Sequence, residues 1–249
     1  MNTQLLTRLE RLTEVLRQDP DCLGLLALGS AADTSRMDDY SDLDFFVIVK
    51  DGTVQRFLSE DTWLSACAPL AYRFRNTVDG HKALWEDGIY AEYAVFDLST
   101  LAHISYTTGR WCFKRDGITL PDQPHKPLPD PRQSVDFAYN EALTNLLVGM
   151  MRYRRGERMA GARLIQVHAI DRILATLDDP SIALSPNVDP FSLDRRIEFR
   201  HPEITPLLKD VLVDLDKLPQ ATLALLAYLQ ARMIIPEAMV QRITALCQN

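Results

Sequence analysis

Residues 26–49, LALGSAADTSRMDDYSDLDFFVIV, constrain the fold more than any other stretch of the chain. Asp42 and Asp44 stand two apart, so a strand directs both to the same face. The residues after them, 45–49, are aromatic and β-branched, the kind that builds a buried strand. Two like charges at the mouth of such a strand repel each other and lose hydration. A divalent cation is the usual remedy, and Mg²⁺ takes hard oxygen ligands of this type. Just upstream, a Gly29-Ser30 turn offers backbone N–H groups and a hydroxyl to a phosphate. The combination points to metal-dependent phosphoryl or nucleotidyl transfer.

The order is an apolar residue with Gly-Ser, a spacer, then acid-apolar-acid on a strand. Here it reads Leu28-Gly29-Ser30, residues 31–41, and Asp42-Leu43-Asp44-Phe45. It resembles the signature of the polymerase β-type nucleotidyltransferase superfamily, in which a third acid lies on a neighbouring strand. The resemblance makes Glu92 the candidate, within Tyr90-Ala91-Glu92-Tyr93-Ala94-Val95-Phe96-Asp97. Strand alternation puts Glu92, Ala94 and Phe96 on one face and Asp97 on the other, where Asp97 is expected to cap a helix beginning near Leu98. Glu86, Asp87 and Asp97 are the competing acids.

Within the superfamily the chain looks most like the lincosamide and aminoglycoside antibiotic adenylyltransferases. The shared-looking pieces are Asp39-Tyr40-Ser41-Asp42-Leu43-Asp44-Phe45, Trp63-Leu64 with Ala68-Pro69-Leu70, Glu92 with Val95-Phe96-Asp97, and Arg155-Gly156-Glu157. The spacer 31–41 departs from relatives in having no glycine. The resemblance implies transfer of AMP from ATP to a hydroxyl of a small molecule. Asp42, Asp44 and Glu92 would be both metal-binding and catalytic, with Mg²⁺ as cofactor. Glu92 would complete the metal site or take the acceptor's proton. Gly29, Ser30 and Ser41 would contact the nucleotide's phosphates. The bland alternatives are an acidic turn, since Asp33, Asp38 and Asp39 lie nearby, and a strand-to-helix turn with a serine cap.

The chain of 249 residues carries a formal net charge of −7 and a pI near 5.3. A protein whose main partner is nucleic acid usually shows a basic face, so that class is disfavoured. An acidic surface favours small molecules, particularly cationic ones, as acceptors, and the resemblance adds that they carry a hydroxyl. Short arginine clusters around 152–158 and 195–200 could bring one or two side chains to a triphosphate, but a solvated cationic helix end is the plainer reading for any single arginine. No apolar run is long enough to span a bilayer, and the four scattered cysteines suit a reducing cytoplasm. The five histidines show no metal-ligand spacing.

The pattern predicts a helix over 3–18, strands over 22–28 and 43–49, a helix through 57–70, and strands over 71–77, 81–86 and 89–96. Asp79-Gly80 and Asp87-Gly88 read as hairpin turns between those strands. Gly117 and Pro121, Pro124, Pro127, Pro129 and Pro131 mark 117–131 as a linker. Beyond it, helices are expected over 134–154, 158–178, 203–215, 219–233 and 236–247, with a loop over 180–190 and a short helix over 191–200. The expected class is α+β: a nucleotidyltransferase-type mixed sheet with helices in a catalytic domain, 1–116, then an all-helical domain, 132–249. Rival readings are a nucleotide-binding or regulatory protein without turnover, and a protein-modifying or toxin-neutralising nucleotidyltransferase.

Overall fold

The computed structural model describes residues 3–121, 123–126, 128–178, 188–189 and 191–248, so most of the loop expected over 180–190 lies outside the described residues. The chain is α+β and divides into two compact units, Met1–Leu128 and Pro129–Asn249. No helix among the described residues is long and apolar enough to cross a membrane.

The first unit is built on a six-stranded mixed sheet in the order β3-β4-β5-β2-β1-β6. Helix α1 (Thr3–Gln18) precedes β1 (Cys22–Leu28). A one-turn helix α2 (Gly29–Ala32) leads towards β2 (Leu43–Val49). Two short helices, α3 (Val54–Ser59) and α4 (Thr62–Ser65), follow. Next come β3 (Leu70–Arg75), β4 (Gly80–Trp85), β5 (Tyr90–Asp97), α5 (Leu98–Leu101) and β6 (Arg110–Lys114). Within this sheet β2 and β5 pair in parallel, and the other neighbouring strands pair antiparallel.

Each sheet face has its own core. On one side Leu5, Leu9, Leu12 and Leu16 of α1 pack with Leu25, Ala27, Leu43, Phe45, Val47, Ala91, Tyr93 and Val95. These leucines recur at helical spacing, while the strand residues alternate, so each element buries one stripe. On the other side Leu26, Leu28, Ile48 and Phe96 are covered by Leu101, Tyr106 and Leu120. A fully buried leucine of this kind contributes about 1.5–3 kcal/mol.

Three expectations change here. The helix through 57–70 is two short helices, and Leu70 already opens β3. Arg73 of β3 donates to the carbonyls of Leu58 (2.5 Å) and Ser59 (3.4 Å), satisfying the end of α3 from a distance in sequence. Strand β6 was not anticipated. The start of the proline-rich stretch packs onto it: Leu120 is buried, and the Trp111 indole donates to the Pro121 carbonyl at 3.0 Å.

The second unit is helical. Ser134 caps α6 (Val135–Arg154), accepting from the Phe137 N–H. Helix α7 (Arg158–Ala162) runs through a π-helical stretch, Arg163–Ala169, into α8 (Ile170–Leu174). The helix expected over 191–200 is confined to α9 (Ile197–Arg200), because Arg196 takes a left-handed conformation at φ 58°. The run expected over 203–215 is broken. A 3₁₀ turn at Pro202–Ile204, α10 (Thr205–Val211) and a 3₁₀ turn at Leu215–Lys217 share it. Helices α11 (Leu218–Gln230) and α12 (Glu237–Gln248) complete the unit. Gly149 and Gly161 let α6 and α7 touch backbone to backbone: a Cβ on Gly161 would stand 2.7 Å from the Gly149 carbonyl oxygen.

His81 on β4 stacks on Tyr93 (centroids 5.5 Å apart, 10° between planes), which stacks on Phe45 (5.4 Å, 7°). It is 4% exposed, and its Nδ1 has no hydrogen-bond partner among the described residues. Burial, with Arg73 and Arg75 nearby, pulls the imidazole down from 6.5 to about 4. The unfolded chain therefore takes up this proton at a higher pH than the folded one. The associated stability is fully present above the ordinary histidine value. As pH falls towards 4, up to about 3 kcal/mol of it is lost. Urea melts across this pH range should show the decline, and His81→Phe, which keeps the stack, should flatten it. An unchanged slope in that variant would assign the pH dependence to another group.

Candidate functional site

At the end of β1 the chain turns sharply: Gly29 has φ 53°, and a Cβ there would lie 2.6 Å from Asp44 Oδ2. Glycine is required both for the conformation and for this close approach. Ser30 follows and donates its hydroxyl to the Asp42 carbonyl at 3.4 Å. The glycine-free spacer is shaped by its own side chains. Asp33 accepts from the Ser35 N–H (3.2 Å) and hydroxyl (2.6 Å). Asp38 accepts from the Tyr40 N–H (2.9 Å) and the Ser41 hydroxyl (3.1 Å), while Ser41 Oγ accepts from the Asp38 N–H (3.0 Å). These aspartate-centred turns do what glycines do elsewhere. Of the three expected phosphate contacts, Ser41 is thus held within its own loop.

Asp44 lies directly beside Glu92 in the parallel β2–β5 ladder. The same row continues outward in both directions, pairing Asp44 with Leu28 on β1, Glu92 with Lys82 on β4, and Lys82 with Phe74 on β3. Paired residues share a face, so Phe74, Lys82, Glu92, Asp44 and Leu28 form one line across the sheet, with neighbouring strands about 4.8 Å apart. Asp42, two residues before Asp44, sits half-buried at the strand's entrance.

Glu92 is occupied. Its Oε1 accepts from Lys82 Nζ at 2.9 Å and from the Tyr90 hydroxyl at 3.0 Å. The Lys82 and Glu92 side chains are 37% and 40% exposed. The hydrogen bond and charge of Glu92 raise the Lys82 ammonium above its ordinary value. Burial, then the bond to Glu92, raises the Tyr90 phenol. Among the described residues, no three His, Cys, Asp or Glu side chains converge closely enough to hold a metal ion. The register thus brings Asp44 and Glu92 side by side without gathering all three acids into one ligand set. Two carboxylates are nevertheless the donor set Mg²⁺ takes when water and phosphates complete its shell, and Asp42 with Asp44 fit it in kind.

Asp97 caps α5, accepting from the Thr100 N–H at 2.8 Å and the Ser99 hydroxyl at 2.9 Å. The bond to the Thr100 backbone lowers its carboxyl below the usual range. In the helical unit, Arg152 pairs with Glu157 (2.7 Å), Arg158 with Asp216 (2.9 Å), Arg195 with Asp189 (3.0 Å) and Arg200 with Asp178 (2.6 Å). Lys82 was not singled out in the sequence. Counting outward equally from Asp87-Gly88 sets it opposite Tyr93; the observed three-residue loop, with the Trp85 N–H bonded to the Ile89 carbonyl, shifts the register by one and sets Lys82 opposite Glu92.

No family model matches the chain, and no curated protein sequence matches it. The solved structures similar in trace include three of note. One is an aminoglycoside 6-adenyltransferase from Bacillus subtilis: 10% identity, 97% of each chain covered, TM-score 0.36. Another is a nucleotidyltransferase-like protein from Exiguobacterium sibiricum: 12% identity, 90% of this chain and 75% of that one, TM-score 0.36. The third is a STING-associated CdnE c-di-GMP synthase from Capnocytophaga granulosa: 16% identity, 96% and 79%, TM-score 0.31. At these TM-scores the likeness assigns neither residues nor reaction.

Gly29→Ala places a methyl against Asp44 Oδ2 and forces alanine to a positive φ. A loss of about 1 kcal/mol or more in stability is expected from the backbone alone. Gly52→Ala, also at positive φ (79°) but with nothing within 4 Å of its Cβ, is the control in thermal melts. Equal losses in the two variants would remove the contact with Asp44 from the account.

Proposed function

We propose that the chain is a nucleotidyltransferase that moves AMP from ATP to a hydroxyl of a small molecule, releasing pyrophosphate. The observation that carries this reading is the register setting Asp44 beside Glu92, with the Gly29-Ser30 turn against Asp44. Asp42 and Asp44 would hold Mg²⁺, which when bound would offset the charge of the triphosphate. Ser30 and the backbone at Gly29 would meet the phosphates. Lys82 and Tyr90 fix the Glu92 carboxylate through Oε1, which leaves Oε2 to take the proton from the acceptor's hydroxyl. The acidic balance of the chain favours an acceptor that carries an amine, and a hydroxylated aminoglycoside or lincosamide antibiotic is the specific version of this reading.

Pyrophosphate release from ATP and Mg²⁺ over a panel of such acceptors tests it. Asp42→Asn and Asp44→Asn should each abolish release while the melting temperature holds or rises, because a carboxylate repulsion is relieved. Full activity in either variant would exclude that residue from the mechanism. ATP binding with no release under any condition would make the chain a nucleotide-binding protein without turnover.

Glu92→Gln keeps the shape and removes the proton acceptor. Turnover should fall roughly 10²–10⁴-fold with ATP binding retained. Recovery of turnover at high Mg²⁺ would instead make Glu92 chiefly a metal ligand.

A further inference from the structure

The sheet face that carries Asp44 and Glu92 is covered over part of its area and open over the rest. Around Leu26, Ile48 and Phe96 it lies beneath Leu101, Tyr106 and Leu120. Over β3, β4 and the start of β5 it is open. Tyr72 and Phe74, on the edge strand, are 54% and 50% exposed, and Leu84 and Tyr90 are half-buried. The register aligns Tyr72 with Leu84 and Tyr90, and Phe74 with Lys82 and Glu92. With strands about 4.8 Å apart and like-facing residues about 7 Å apart along a strand, this patch has the dimensions of one or two sugar-sized rings. The arginines of β3 are engaged elsewhere: Arg73 bonds the Tyr93 hydroxyl and the Leu58 carbonyl, and Arg75 bonds the carbonyls of Thr77 and Val78.

We infer that this patch is the acceptor subsite, that it takes a hydroxylated ring compound with an apolar face and at most one ammonium group, and that Lys82 sets this selectivity. The inference rests on the transfer reading and narrows its acceptor. Tyr72 and Phe74 offer aromatic faces to the apolar side of a ring. Tyr90 and Glu92, at the inner end of the patch, offer polar partners to its hydroxyls. The carboxylate that would attract a polycation already has an ammonium 2.9 Å away. A polyamine acceptor must displace Lys82 or stand beside it, and like charges at that range oppose binding.

Two probes separate the possibilities: lincomycin, with a single amine and an apolar tail, and kanamycin, with several amines. Calorimetric titration of the full chain with each, in the presence of Mg²⁺ and a non-hydrolysable ATP analogue, runs beside pyrophosphate release with ATP. Wild type should bind the single-amine probe more tightly. The double variant Tyr72→Ala/Phe74→Ala should weaken that binding about tenfold or more, the scale of losing stacked aromatic faces, with the melting temperature held. Lys82→Gln should strengthen binding of the polyamine, and the gain should shrink as salt rises. Equal or tighter wild-type binding of the polyamine, no effect of the aromatic pair, or no binding of either probe would each overturn the inference. The expected binding pattern with no pyrophosphate from any acceptor would defeat the transfer reading while leaving the subsite in place.

Discussion

The parallel pairing of β2 with β5 is the constraint on which the site depends. It runs in register from Leu43 opposite Ala91 to Val49 opposite Asp97. On one face it buries Phe45, Val47, Tyr93 and Val95; on the other it holds Asp44 beside Glu92. Even at the spacing of the strands, about 5 Å, two carboxylates would repel by only about 1–3 kcal/mol, an upper bound here because Asp44 reaches towards Gly29 and Glu92 towards Lys82. Each of the four buried side chains contributes about 1.5–3 kcal/mol, so the apolar face outweighs the acids it forces together. A slip of either strand by one residue would turn its Phe45 or Tyr93 away from the α1 side and carry its carboxylate, Asp44 or Glu92, into that core. Core packing therefore fixes the acids' positions, without requiring the acids to attract anything.

The sequence shows those parts of this arrangement that are local. Leucines at helical spacing mark α1, and apolar runs bounded by turn residues mark β1, β2 and β5. The role of Asp97 as a cap could be read because a cap acts within three residues. What escaped is long-range. The break between α3 and α4 is satisfied by Arg73 from another strand. Strand β6 is short and lies at the sheet edge. It pairs across Gly24, where a Cβ would strike Trp111 and Leu120 at 2.8 Å. A lone glycine in a strand signals such a close approach but does not name what approaches. The left-handed Arg196 that shortens α9 has no signature in its residue type either.

Lys82 belongs to the same class of information. The motif reading supplied three acids and proposed a metal to reconcile them, because charges elsewhere in the chain have no position until strands pair. The hairpin around Asp87-Gly88 gives Lys82 its position, and with it Glu92 a cation 2.9 Å away. The row then reads, from the edge inward, as an aromatic side chain, a cation, two acids and a leucine ahead of the glycine turn. The acids are thereby unequal. Glu92 is oriented by Lys82 and Tyr90 on one oxygen, and Asp44 Oδ2 lies against the turn that opens α2. Neighbouring carboxylates divide the holding of a cation and the acceptance of a proton more readily when their surroundings differ. A lysine on one side and a glycine turn on the other give the two acids such different neighbours, and the pairing of β4 with β5 creates that asymmetry.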